Sequence, residues 1–217
     1  YAGDLKGNIW KFDVSSATPS NWKVAFGGRP LYVAKDINDR TLAVTTPVET
    51  RAHPQGGLVV NFASGRALQA GEFSGVLEKH GVYGVWDKPL FSTAADSALD
   101  SLLPRGVAAM APRTFVPAGS GGERVITGDP IDWSSKAGWY LPFGEASEMS
   151  LANPARLLQV LVITSMAPPA TGAANACFQT PRAWLNIVDP MSGLTSKNVL
   201  GNITTVINGV TVTIALS

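Results

Sequence analysis

The sequence predicts an all-β chain, part of a larger β-propeller with four-stranded blades and one short helical insertion. Three observations carry that reading. First, Tyr1-Ala2-Gly3 and Ile9-Trp10-Lys11-Phe12-Asp13 read as two strands around Lys6-Gly7-Asn8, and Gly and Asn accept the positive φ that a tight hairpin turn requires. Second, short strands that carry Trp and end in Asp recur: Trp10 before Asp13, Trp86 before Asp87, and Trp184 before Asp189. At about 40–50 residues per blade, such recurrence fits about four or five blades. Third, 22 glycines and 15 prolines among 217 residues suit many short strands with turns between them and break up helices.

The elements follow in order. Asp4 and Asn8 flank the first turn, where short polar side chains bond nearby backbone N–H groups. Trp22-Lys23-Val24-Ala25-Phe26 alternates with period two and reads as a strand, Gly27-Gly28-Arg29-Pro30 as a turn, and Leu31-Tyr32-Val33-Ala34 as a further strand. Leu58-Val59-Val60-Asn61-Phe62 is strongly β-prone and reads as a buried inner strand. Gly81-Val82-Tyr83-Gly84-Val85-Trp86-Asp87 is another strand. Thr93 with Asp96 resembles a capping box, and Ala95, Leu99, Leu102 and Leu103 lie near helical spacing. One short helix is therefore expected before Pro104, within a loop and helix insertion over residues 88–122. Arg124-Val125-Ile126-Thr127 and Gly138-Trp139-Tyr140-Leu141 are short strands, and the β-branched run 157–164, bounded by Pro154 and Pro168, reads as one fully buried strand. In the tail, Thr, Val and Ile alternate on both sides of Asn208-Gly209, a preferred hairpin turn. That uncharged hairpin is a sticky edge unless covered, and its expected role is to complete the first blade.

Residues 1–217 read as a single propeller-type domain cut from a longer chain, since the sequence opens inside a strand pattern without an initiator Met. A net charge of +1 with 15% charged residues offers no field that selects nucleic acid or an anionic membrane. No stretch reaches the ~20 apolar residues of a membrane span. Cys177 is the one cysteine, so it is either a free thiol or the partner of a cysteine outside this sequence.

Asp36, Asn38 and Asp39 form the most metal-like group. A calcium loop needs oxygens at positions one, three and five, a Gly at six and a Glu near twelve. Asp36 and Asn38 fit the first two, but Arg40 and Thr41 follow, so the group reads as a solvated turn and only a weak metal candidate. His53 and His80 have no ligand partner at a useful spacing and read as loop residues. Glu145 with Glu148 and Asp96 with Asp100 are acidic pairs that exposure explains. Trp133, Trp139 and Tyr140 suit either a sugar-stacking platform or packing between blades, and burial favours packing. Nucleophile elbows, paired cysteines for zinc and a phosphate loop are missing from the sequence. The reading is non-enzymatic, without a cofactor in this chain.

The stretch Tyr1-Ala2-Gly3-Asp4-Leu5-Lys6-Gly7-Asn8-Ile9-Trp10-Lys11-Phe12-Asp13 resembles the blade signature of PilY-type proteins, the C-terminal propeller of type IV pilus biogenesis factors and pilus-tip adhesins. The signature positions are Tyr1, Gly3, Asp4, Gly7, Asn8, Trp10, Phe12 and Asp13. His53-Pro54-Gln55-Gly56-Gly57 and Tyr83-Gly84-Val85-Trp86-Asp87 are similar to further motifs of that family, in its order. Pro142-Phe143-Gly144-Glu145 and Phe178-Gln179-Thr180-Pro181 depart from it. The resemblance implies a calcium-regulated scaffold at the bacterial surface, on fimbriae, the outer membrane or secreted. It implies minor pilins or the pilus tip and a host or surface ligand as partners, with a role in adhesion and twitching motility. The calcium loop is expected just upstream of Tyr1. A quinoprotein-like propeller dehydrogenase shares the looser blade grammar, but its regularly spaced tryptophan-docking repeats are missing.

Overall fold

A computed structural model describes residues 1–68, 78–118, 123–145, 147–168 and 182–195, together with the backbone of 202–207 and 210–215. Its strands are short. In chain order they are β1 (Ala2–Gly3), β2 (Asn8–Trp10), β3 (Phe12–Asp13), β4 (Lys23–Val24), β5 (Tyr32–Val33), β6 (Glu49–Ala52), β7 (Leu58–Ala63) and β8 (Gly81–Asp87). There follow β9 (Ala111–Pro112), β10 (Thr114–Pro117), β11 (Arg124–Thr127), β12 (Gly138–Pro142), β13 (Ala155–Leu157), β14 (Val160–Ala167), β15 (Arg182–Val188), β16 (Asn202–Ile207) and β17 (Val210–Ala215).

The signature hairpin is β1 against β2, with Ala2 opposite Trp10 and Gly3 opposite Ile9. β5 lies on the other side of β2 and β4 pairs with β3, so one kinked strand runs from Asn8 to Asp13. Gly7 sits at φ 78°, and a β-carbon there would press on the Leu42 carbonyl, which is why the turn takes glycine.

The next sheet is the best formed. β6, β7, β8 and β12 are four successive antiparallel neighbours, the arrangement of a propeller blade, and β9 adds a parallel fifth strand beside β12. Every residue of β8 is buried, and Val59, Val60 and Phe62 of β7 are fully enclosed. Their continuous apolar runs follow from burial on both faces. Between β8 and β12 the chain makes an excursion that holds two helices and the β10–β11 hairpin. A third sheet, β13-β14-β15, gains short bridges from Met149 to Met166 and from Val188 to Thr195. Two apolar clusters fill the spaces between sheets. One joins Ile9, Leu31, Tyr32, Phe62, Tyr83, Phe91 and Leu99; the other joins Ile126, Trp139, Leu141, Phe143, Leu161 and Val188.

The structure corrects four local expectations. The strand from Trp22 stops at Val24, because Phe26, Gly27 and Gly28 all take left-handed φ (58°, 61° and 80°) and reverse the chain one residue early. Edge-to-face packing on Phe91 holds Phe26 there, and two glycines lower the cost. The one expected helix is two, Pro89–Thr93 and Asp96–Leu102. Thr93 caps neither: its hydroxyl donates to the Leu90 carbonyl, and Ala95 holds the N-cap position. Proline in the first turn starts the earlier helix. The run 157–164 is not one strand but the end of β13, a two-residue turn at Leu158 (φ 54°, 74% exposed), and most of β14. Finally, β16 and β17 pair as expected, with Ile207 opposite Val210, but as a separate two-stranded sheet that does not complete the first blade. The Asn208-Gly209 turn, Cys177, the loop 169–176 and residues 119–122 lie outside the described residues.

Candidate functional site

The signature positions do two jobs. Asp4 builds its own turn. Its Oδ1 accepts the backbone N–H groups of Lys6 (2.8 Å) and Asn8 (2.9 Å), and its Oδ2 accepts Asn8 Nδ2 (2.8 Å) and Trp10 Nε1 (3.0 Å). Partial burial alone would raise the Asp4 pKa. The four hydrogen bonds outweigh it and hold the carboxyl below its ordinary value. Asp13 closes the next turn in the same way, accepting Ser15 N–H and Oγ. Gly3 passes against the Val44 side chain, where a β-carbon would collide.

The second job joins motifs that are far apart in sequence. Asp87, at the end of β8 and only 3% exposed, accepts a hydrogen bond from the Tyr1 hydroxyl and an ion pair from Lys11 Nζ at 2.6 Å on the same oxygen. Lys11 Nζ also donates to Ser92 Oγ and lies over the rings of Tyr1 and Phe26. Burial first, then the hydrogen bond and charge of Asp87, push the Tyr1 hydroxyl pKa far up, so it stays a donor. The first signature strand is thus tied to the Tyr83-Gly84-Val85-Trp86-Asp87 motif through one carboxylate. Beside this knot runs an open cleft of about 720 Å³, lined by Lys11, Phe12, Lys23, Phe26, Phe91 and Asp96 among others. Phe12 and Val14 stand exposed there, at 47% and 56%. Apolar side chains between charges of both signs suit the binding of a polypeptide surface.

Asp36 and Asp39 are engaged in turn contacts. Asp36 is buried, and its Oδ1 accepts the N–H groups of Asn38 and Arg40, while Oδ2 accepts that of Lys79. This repeats the Asp4 pattern, residue i to i+2 and i+4. Asp39 Oδ1 instead pairs with Lys35 Nζ at 2.8 Å. Oxygens that face N–H donors and a lysine suit a turn and not calcium. Among the described residues no group of three or more His, Cys, Asp or Glu side chains converges to hold a metal ion.

The sequence reading missed three features. Glu148, read as exposed, is 1% exposed. It takes a two-pronged ion pair from Arg124, accepts Ser165 Oγ and the Glu145 N–H, and Arg124 also donates to Asn186 Oδ1. The guanidinium lies between the rings of Phe115 (3.8 Å) and Trp184 (4.4 Å). Arg113, 1% exposed, donates to the carbonyls of Pro112, Asp129 and Ser192 and pins two turns together. His53 and His80 are hydrogen-bonding loop residues, as read, but both are buried. His53 stacks on Trp86 and meets Trp133 edge-on, while Trp139 and Tyr140 are core residues. Trp139 and Tyr140 therefore pack in the core, as burial favoured, while Trp133 is half-buried. All three features depend on partners more than fifteen residues away, beyond the reach of a local pattern.

The short antiparallel strands, the four-stranded sheet and the signature hairpin define part of a β-propeller. The family model of the PilY1 beta-propeller domain matches residues 1–105. The type IV pilus biogenesis factor PilY1 homolog of Xylella fastidiosa is 26% identical over 204 residues, covering 89% of this chain and 13% of the relative. PilY1 of Pseudomonas aeruginosa is 27% identical over 229 residues, covering 89% of this chain and 19% of the relative. The crystal structure of the Pseudomonas aeruginosa PilY1 C-terminal domain superposes with a TM-score of 0.71 at 24% identity, over 95% of this chain and 45% of that one. The resemblance read from the motifs is therefore to PilY1, in sequence and in fold. The chain spans less than a fifth of the length of these curated relatives.

Proposed function

We propose that this chain is a propeller part of a type IV pilus biogenesis factor, acting without catalysis as an interaction scaffold in pilus assembly and surface adhesion. The observation that supports it most is the similarity to PilY1 proteins over 89% of the chain. The geometry agrees: Asp4, Asn8 and Asp13 are spent on turns and Tyr1 and Lys11 on the Asp87 knot, and the exposed Phe12 and Val14 line a cleft. In this reading residues 1–217 form one propeller-type unit, with 88–122 inserted in it. Its partners are pilus components and a surface ligand, and its place is the bacterial surface. Among the described residues no helix is long and apolar enough to cross a membrane.

Shearing pili from the bacterium that carries this protein tests the proposal. The protein is expected in the pilus fraction, and a strain lacking it is expected to attach to surfaces several-fold less well. Recovery outside the pilus fraction, with unchanged attachment, contradicts the reading.

A further inference from the structure

We propose that the β6–β7 turn is a pH-sensitive latch, opened when His53 takes up a proton. The turn is residues 53–57, and it closes on two backbone bonds, His53 N–H to the Gly57 carbonyl (3.1 Å) and Gly56 N–H to the His53 carbonyl (2.9 Å). A third bond uses the side chain: His53 Nδ1 accepts the Gln55 N–H at 3.1 Å. A nitrogen that accepts from a backbone donor carries no proton, so the proton of the neutral ring sits on Nε2. Nε2 is buried and has no hydrogen-bond partner among the described residues. The ring lies on Trp86, centroids 4.0 Å apart, with Trp133 edge-on at 4.6 Å.

Protonation therefore has one place to go, Nδ1, and there it sets a new N–H against the Gln55 N–H. The turn loses its side-chain bond and gains two opposed donors. The charged groups around the ring do not relieve this. Lys88 Nζ sits 4.8 Å over the Trp86 ring and repels a second cation. The Oδ2 of Asp87 is taken by Tyr1 and Lys11, and Asp132, beside Trp133, holds its carboxylate on Ser134 and Ser135. Burial first, and the Lys88 charge second, keep the imidazole below its ordinary value, in the same direction.

The turn covers what it would release. Trp86 Nε1 donates to the Gly56 carbonyl at 2.9 Å, and a β-carbon on Gly57 would strike the Asp87 carbonyl. Opening exposes the Trp86 and Trp133 faces next to the Asp87 knot. The sign follows from linkage: a base whose folded pKa is depressed loses stabilisation as pH falls. Opening becomes more frequent as pH falls below roughly 6.5, the exposed value, until the lower value in the closed turn is reached.

Hydrogen–deuterium exchange on the full chain, corrected for intrinsic rates, tests this on peptides that cover residues 53–58 and 132–137. The wild type is expected to lose protection there several-fold between pH 7 and pH 5, reversibly. His53→Asn keeps an acceptor for the Gln55 N–H but cannot titrate, and its protection is expected to stay constant. His53→Ala is expected to be open at both values. A wild type whose protection does not change, or a His53→Asn variant that loses it equally, overturns the latch.

Discussion

Asp87 ties Tyr1 and Lys11 to a strand at least 76 residues later in the chain. Asp87→Asn keeps an acceptor but leaves the Lys11 ammonium without its counter-charge, and urea unfolding is expected to show a loss of about 1–3 kcal/mol. A double-mutant cycle with Lys11→Met should recover part of it; full additivity would mean that the pair is uncoupled. Asp4→Ala removes the acceptor of four donors and is expected to cost about 2 kcal/mol, checked the same way. His80 gives a pH test. Its Nδ1 faces Ser64 Oγ at 3.2 Å, and burial, the largest influence, holds its pKa down to about 4. The unfolded ring takes a proton near 6.5 and the folded one does not, so stability falls as pH drops from about 6.5 to 4, by on the order of 2–3 kcal/mol. His80→Asn should flatten that part of the profile. The turn role of Asp4 was legible because its partners lie within six residues. Glu148 and Asp87 were not, because nothing local distinguishes a carboxylate that meets a distant Arg or Tyr from an exposed one.

Strands β7, β8 and β12 were readable since short runs rich in β-branched and aromatic residues favour strands in a chain of this composition. Their packing explains the glycine inside β8. A β-carbon at Gly84 would overlap the Trp139 indole, itself fully buried, so Gly84→Ala is expected to cost more than ~2 kcal/mol and lower the thermal midpoint. A midpoint within a degree of the wild type would show that the two strands can part without penalty. The turns at Phe26 and Leu158 were not readable. Both place a bulky residue at positive φ, where composition signals Gly or Asn, and long-range packing sets the conformation at Phe26. Helix number failed for a related reason: residues 89–103 carry enough apolar spacing for one helix, but extended backbone at Ala94 and Ala95 divides it.

On the proposed function, the cleft, the Asp87 knot and the proposed latch serve a scaffold that holds surfaces and turns in place. The propeller and its PilY1 likeness were legible because three separated motifs occur in the family's order; the arrangement of sheets was not, since no local signal states which strands pair across an excursion such as that between β8 and β12. We propose that the calcium implied by the resemblance binds outside this chain, as Asp36 and Asp39 are committed to N–H donors and Lys35. Titration calorimetry on residues 1–217 should then give no calcium heat, and tight binding would reopen the Asp36 turn. The proposed role in pilus biogenesis is tested most directly by electron microscopy of the bacterium that carries the protein. Deleting the gene is expected to leave surface pili several-fold fewer, and returning the intact gene is expected to restore them. Undiminished piliation in that strain would contradict it.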